Sequence, residues 1–404
     1  MWSWSSAFTR WSAFYSKYWM AQVPLNLECA DTNPVLVSFA RWAISVLKTG
    51  VYPGRGFYSE ELQRGSPGQY FADGYSMVFV ATKTDHKEKR HQHLFVQNAQ
   101  SLYVCDRCYA MQRGRLAYVD MSTNALHRRT VFGHLHYVRH TATRQLSPWT
   151  TIGDWCIELH RDDPQHILYQ LGVASSLVAS IFKLMLHEGM FGTGPYAERV
   201  ETLFNDFRNS PEARRDGNLP APFTMRKLGL HVESREPMIS GTYKHGQIRL
   251  FLHYAARRFA REVDPYSPLE QQLALTCIRS LSNFVKLLDA SPCMLSEQQR
   301  EAALKLGIEF RNSFSILYQR SALVDDALWK CTPKFHEFDH LIERLRVERF
   351  NPLFQWACWA EETFMGITGR IRRASHASYA GLESSFLRYI LWLHAEQIVP
   401  SGRG

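Results

Sequence analysis

The chain has 404 residues, 45% of them hydrophobic, 13% aromatic and 21% charged. It is long enough to bury a large core in two or three structural units, and this composition excludes a disordered or low-complexity polypeptide. A formal charge of +9 and a pI near 9.1 favour polyanionic partners, nucleic acid first and anionic membrane second.

Eight cysteines (Cys29, Cys105, Cys108, Cys156, Cys277, Cys293, Cys331 and Cys358) are dispersed through a chain too large to need disulfide staples. With no signal-peptide pattern, a reducing intracellular compartment is expected. The most apolar stretch, residues 167–186, is interrupted by Tyr169, Gln170 and Lys183, so it reads as a buried helix rather than a membrane span.

From the N-terminus, Trp4, Phe8, Trp11, Tyr15 and Tyr18 recur at spacings of four, three, four and three, which predicts a helix. Its aromatic stripe is expected to pack on the protein's own core, with a membrane-surface or partner-binding helix as the alternative. A second amphipathic helix opens at Pro34 and presents Val35, Phe39, Trp42, Ala43 and Val46 on one side. Residues 51–74, rich in Gly and Pro, mark a boundary. Strands are predicted over residues 75–83, leading to Asp85, and over residues 101–105, 115–121 and 155–159. After His166 the period becomes helical, over residues 167–187, 195–208, 244–262, 268–288 and 296–328, with a break at 209–222. Further helices are predicted from Pro333, from about Trp359, and over residues 379–397.

Four constellations are candidates to carry chemistry. The first is carboxylate: Asp162 and Asp163 at a strand end, with Asp85 and the pair Glu361–Glu362 as acids able to join them around a divalent ion. On this segment alone, capping of the next helix is the favoured role for Asp163. The second, His336-Glu337-Phe338-Asp339-His340, matches the zinc-protease pattern, two histidines on one helical face with a glutamate as general base. Asp339 stands there where such helices usually carry an apolar residue. The third is Cys105-Asp106-Arg107-Cys108, which reads either as two free thiols on a strand end or as half of a zinc site, for which His136 and His140 are the candidate second half. The fourth is a basic helix with Arg370, Arg372, Arg373 and His376, followed by Arg388, suited to phosphate.

In order along the chain come Asp85, Cys105-x-x-Cys108-x-Ala110, Ser147-Pro148-Trp149 and the run from Leu159 through Asp163 and His166 to Val173. Thr332-Pro333-Lys334-Phe335-His336, Asn351-Pro352 and Trp359-Ala360-Glu361-Glu362-Thr363-Phe364-Met365-Gly366 follow. This series resembles multicopy protist proteins derived from DNA transposons. It is also similar to cut-and-paste transposases of the hAT and Kyakuja–Dileera–Zisupton kind, over roughly Gly50 to His394. The resemblance implies an α/β fold, an RNase H-like mixed sheet interrupted by a large helical insertion and helix-rich overall.

In that layout residues 1–50 form N-terminal amphipathic helices, 51–187 the first part of the core, 188–330 the insertion, and 331–404 the helices completing the core. The resemblance further implies a D-D-E site of Asp85, Asp163 and Glu362, with His166 completing a D-x-x-H motif and Mg²⁺ or Mn²⁺ as cofactor. DNA is the implied partner, with no membrane partner, and the nucleus the implied location. Four departures stand out: the acid Asp162-Asp163 is doubled, Pro164-Gln165 replaces an apolar pair, Glu361-Glu362-Thr363 stands where D-E-D is usual, and no separate N-terminal DNA-binding finger is evident. The expected function is metal-dependent DNA strand cleavage and transfer, or a catalytically silent derivative. The alternatives are a non-enzymatic nucleic-acid-binding or interaction module, and a zinc metalloprotease using His336, Glu337 and His340.

Overall fold

The computed structural model describes residues 2–4, 18–21, 29–62, 67–71, 73–84, 89–90, 93–95, 97–139, 146–216, 219–230, 237–323, 328–358 and 388. The chain divides into two compact units, Cys29–Ala357 on the one hand and Met1–Glu28 with Cys358–Gly404 on the other.

In the second of these, β1 (Trp2–Trp4) pairs antiparallel with β2 (Tyr18–Ala21), Trp4 opposite Tyr18. Both ends of the aromatic stripe expected to be helical are therefore strand. Trp-Ser-Trp also alternates with a period of two, and aromatic residues suit a pleated surface well. The middle of the stripe, with Phe8, Trp11 and Tyr15, lies outside the described residues.

The larger unit opens with α1 (Thr32–Thr49), ended by Gly50 in the left-handed region at φ 68°. A side chain at Gly50 would meet the Tyr75 carbonyl at 2.6 Å, so this close approach also requires glycine. The helix is where the sequence predicts it, but its deeply buried residues are Val37 and Ala40, while Val35 is 44% exposed.

The predicted β-rich front is largely turns. Residues 101–121 make only isolated bridges, Tyr103 to Met111 and Met111 to Ala117. Residues 157–159 form a 3-10 turn, and the strand starts one residue later. Among the described residues of this unit, the strands are β3 (Thr82–Thr84) and β4 (His160–Asp162), which are parallel and pair Thr82 with His160 and Thr84 with Asp162. Trp155, 2% exposed, donates from Nε1 to Thr82 Oγ1 at 3.1 Å and ties the two approaches together.

Past β4 the described residues are mostly helical. The single helix expected over 167–187 is two, α2 (Pro164–Leu168) and α3 (Val173–His187). Leu171 adopts φ 51°, and a side chain at Gly172 would meet the Ile167 carbonyl at 2.2 Å. The chain turns sharply between them for that reason. Nearly every residue of α3 is buried, and helices pack around it. The segment Pro164–His187 is apolar and long enough to cross a membrane, but 83% of its most apolar window is buried inside the fold. That matches the buried-helix expectation.

Then come α4 (Tyr196–Arg208), α5 (Pro211–Asp216), α6 (Met225–Leu228) and α7 (His245–Phe259). A long hairpin follows, α8 (Leu269–Ala290) and α9 (Glu297–Leu323), then α10 (Pro333–Arg344) and α11 (Pro352–Gln355). Asn351 both caps α11 and, through Nδ2, donates to the Leu288, Ser291 and Pro292 carbonyls at 2.7–3.2 Å, fastening the hairpin turn. At Gly307 of α9 a side chain would come within 2.8 Å of Ile342 Cγ1, which is how closely α10 approaches the hairpin.

Candidate metal centre

The turn carrying Cys105 and Cys108 is closed by Val104 N–H donating to the Ala110 carbonyl at 2.9 Å. Both cysteines are withdrawn from solvent, 6% and 1% exposed. Opposite them, Thr332-Pro333 starts α10, whose i,i+4 spacing places His336 and His340 on one face.

The two pairs meet. Cys108 Sγ lies 3.2 Å from His336 Nε2, Cys105 Sγ 3.3 Å from His340 Nε2, and the two Nε2 atoms are 3.1 Å apart. All four donor atoms lie within 4.8 Å of one another. Ordinary zinc bond lengths at tetrahedral angles put neighbouring S and N atoms about 3.5 Å apart and two N atoms about 3.3 Å apart. The set can therefore hold a metal ion, and thiolate with imidazole is the donor chemistry that suits Zn²⁺.

Two features support that chemistry. The Arg107 backbone N–H points at Cys105 Sγ at 3.3 Å, which would stabilise a thiolate. The His127 ring stands edge-on to His336, with ring centres 4.8 Å apart, and helps to hold that imidazole in place. Without a cation, burial pushes the Cys105 thiol up to about 11, so a metal entering here displaces protons.

This arrangement corrects the expected ligand set. His136 instead shares a hydrogen bond with the Tyr109 hydroxyl at 2.8 Å and stacks on Phe132. His140 lies outside the described residues. The cysteine pair and the histidine pair, read from the sequence as parts of two different sites, form one. A metal held by all four donors would have a filled coordination sphere, whereas a hydrolytic zinc keeps one position open for water. Glu337 is engaged elsewhere, with its Oε1 3.4 Å from the Lys89 ammonium. Asp339 is buried because two guanidiniums hold it, Arg128 at 2.7 Å and Arg311 at 3.0 Å.

The strand end beside this centre is equally definite. Asp163 accepts from Gln165 N–H at 2.9 Å as the cap of α2, and its other oxygen contacts His166 Nδ1. Its side chain is fully buried. Asp162 is held by Arg107 Nη2 at 2.8 Å and by Lys89, which keep its carboxyl well below the usual range against the opposing effect of burial. Asp85, Glu361, Glu362, Arg370, Arg372 and Arg373 lie outside the described residues, while Arg388 is helical and exposed. Thr84, the residue before Asp85, is in register with Asp162, the residue before Asp163.

Lys89 and His93 carry no signal in the sequence. Nothing in their local pattern separates a buried charge or a neutral core histidine from a surface one. His93 is buried against His160, Phe95 and Trp149, and burial followed by the Lys89 charge lowers its pKa to about 3. Its unfolded value near 6.5 is higher, so the unfolded chain binds the extra proton. The stabilisation that neutral His93 provides is complete above pH 6.5 and fades as pH falls toward about 3. The expected slope is up to about 1.4 kcal/mol per pH unit, removed by His93→Phe, and urea unfolding at several pH values measures it.

No family model, curated protein or solved structure matches this chain.

Proposed function

We propose that this is a transposase-derived protein that cleaves DNA strands with divalent metal on an RNase H-like core, and that a structural Zn²⁺ at Cys105, Cys108, His336 and His340 braces that core. The observation that carries the reading is the parallel register of β3 and β4, Thr84 beside Asp162. These parallel strands end at Thr84 and Asp162, one residue before Asp85 and Asp163 in the sequence, and the carboxyl ends of parallel strands are where open α/β sheets bind ligands. The helices between Asp163 and Glu362 agree with the inserted layout the resemblance implies. Bound ions supply nucleophile activation and screening of the phosphate. The chain's own part is to fix the carboxylates: Asp163 through its capping bond and His166, Asp85 and Glu362 as further acids. Arg370, Arg372, Arg373 and Arg388 serve the phosphate backbone.

Asn caps a helix about as well as Asp, so Asp163→Asn keeps α2 intact while removing the charge. In Mn²⁺, plasmid nicking by the wild type is expected to exceed that of Asp163→Asn and of Asp85→Asn by at least about a hundredfold, roughly 2.7 kcal/mol. Equal nicking by all three contradicts the proposal.

One observation favours a second reading, a catalytically silent DNA-binding derivative: the Asp163 side chain is fully buried with both oxygens engaged. That reading predicts DNA binding that falls steeply with salt and ignores divalent metal.

A further inference from the structure

Lys89, Asp106, His160, Asp162 and Glu337 form a second buried cluster, at the base of β4. Asp106, His160 and Asp162 each offer a donor atom within 4.8 Å of the others. His160 is fully buried, and neither of its ring nitrogens has a hydrogen-bond partner. Its Nε2 is aimed at Asp106 Oδ2, 3.7 Å away, and at Asp162 Oδ1, 3.8 Å away. Those separations are too long for hydrogen bonds. They suit two ligands of one ion, which at bond lengths of about 2.1 Å can stand up to about 4.2 Å apart.

A cation already occupies this space. The Lys89 ammonium, on a side chain 8% exposed, contacts Asp162 Oδ1 and lies 3.4 Å from Glu337 Oε1 and 3.9 Å from Asp106 Oδ1. Arg107 supplies the second positive charge, 2.8 Å from Asp162 Oδ2. Three carboxylates so placed cannot be buried without compensation. A small surface cleft lined by Arg107, Asp162, Glu337 and Trp356 adjoins the cluster.

We propose that Asp106, His160 and Asp162, with Glu337 alongside, constitute a divalent-cation site in which the Lys89 ammonium stands in place of the metal. The cluster abuts the thiol–imidazole centre through Asp106, which lies between Cys105 and Cys108, and through Glu337, which follows His336. Lys89 thereby confines metal loading to that neighbouring centre. This inference is independent of DNA cleavage, because it concerns which cation fills the cluster and not what the strand end does.

The test is Mn²⁺ titration of zinc-loaded full-length protein, followed by electron paramagnetic resonance of free ion. Lys89→Met is expected to take up one equivalent of Mn²⁺ per chain more than the wild type, and to gain thermal stability on adding it. Lys89→Arg should behave as the wild type. Asp162→Asn placed in the Lys89→Met background should abolish the extra equivalent. Because the readout is a difference from wild type, ions held at Asp85 or Asp163 cancel. If Lys89→Met folds only when refolded with Mn²⁺, the proposal is supported. If it binds no more Mn²⁺ than wild type, or fails to fold with and without the ion, the proposal is overturned.

Discussion

With zinc assigned as proposed to Cys105, Cys108, His336 and His340, stripping the metal is expected to lower the urea unfolding midpoint of the larger unit sharply, and Cys108→Ser or His336→Ala should do so in the presence of zinc. The cysteine turn and α10 are separated by more than two hundred residues, Cys108 from His336 by 228. A clip between such distant positions removes much chain freedom from the unfolded state. Structural zinc contributes on the order of 10 kcal/mol in domains that have little else. Here α10 also buries Phe335, Phe338 and Ile342 against the helical hairpin, so part of the fold survives metal loss. We expect a loss of at least about 3 kcal/mol, the cost of leaving buried polar groups without partners at several positions. Acidification should release the ion, since thiols and imidazoles must be deprotonated to bind it. His136→Ala, which removes only the Tyr109 contact and the Phe132 stacking, is the control and should leave metal binding unchanged.

Asp339→Ala is expected to destabilise the protein by about 3–5 kcal/mol, as breaking a buried ion pair by removing one partner does. Asp339 is 4% exposed and bridges Arg128, on the 3-10 turn that follows the cysteine-bearing segment, to Arg311 of α9, itself 1% exposed. Glu343 also meets both arginines, at 3.2 and 2.6 Å, but it is one-third exposed and cannot replace a buried carboxylate. Burial acts to raise the Asp339 pKa, yet Arg128 and then Arg311 more than reverse that, and the net shift is downward. The sign follows: its stabilisation is present above the ordinary carboxylate range and is lost as pH falls through the lowered folded value. Replacing the network by apolar side chains, Asp339→Leu with Arg311→Met, should recover part of the loss, because fewer charges are then left buried alone. Equilibrium unfolding of the single and double variants measures the coupling directly.

The helices are legible because their period is long and their boundaries carry chemistry. The ranges 195–208, 244–262 and 268–288 lie within about three residues of α4, α7 and α8 at either end. Asp163-Pro164 and Asn351-Pro352 each combine a capping side chain with a proline at the first helical position. Strands are harder. Residues 75–81 are apolar enough to read as strand, yet they run without a ladder partner, held by the Trp155 bond to Thr82 at one end and the close approach of Gly50 at the other. At the metal centre both halves are visible in the residues, Cys105-x-x-Cys108 and His336-x-x-x-His340. Their union is not, since separation along the chain carries no information about which pairs meet. Asp339, which in the sequence argues against the zinc-protease pattern, is explained by Arg128 and Arg311, partners that no local pattern reveals.

Cobalt substitution tests the central claim most directly. The full chain, freed of metal and titrated with Co²⁺, should bind one ion per chain at the four-donor centre. Its spectrum should show thiolate-to-cobalt charge transfer with the intense visible bands of tetrahedral coordination. Cys105→Ser and His340→Ala should each lose that signature, while His136→Ala keeps it. A wild-type protein with no charge-transfer band, or one whose band survives His340→Ala unchanged, would contradict the account.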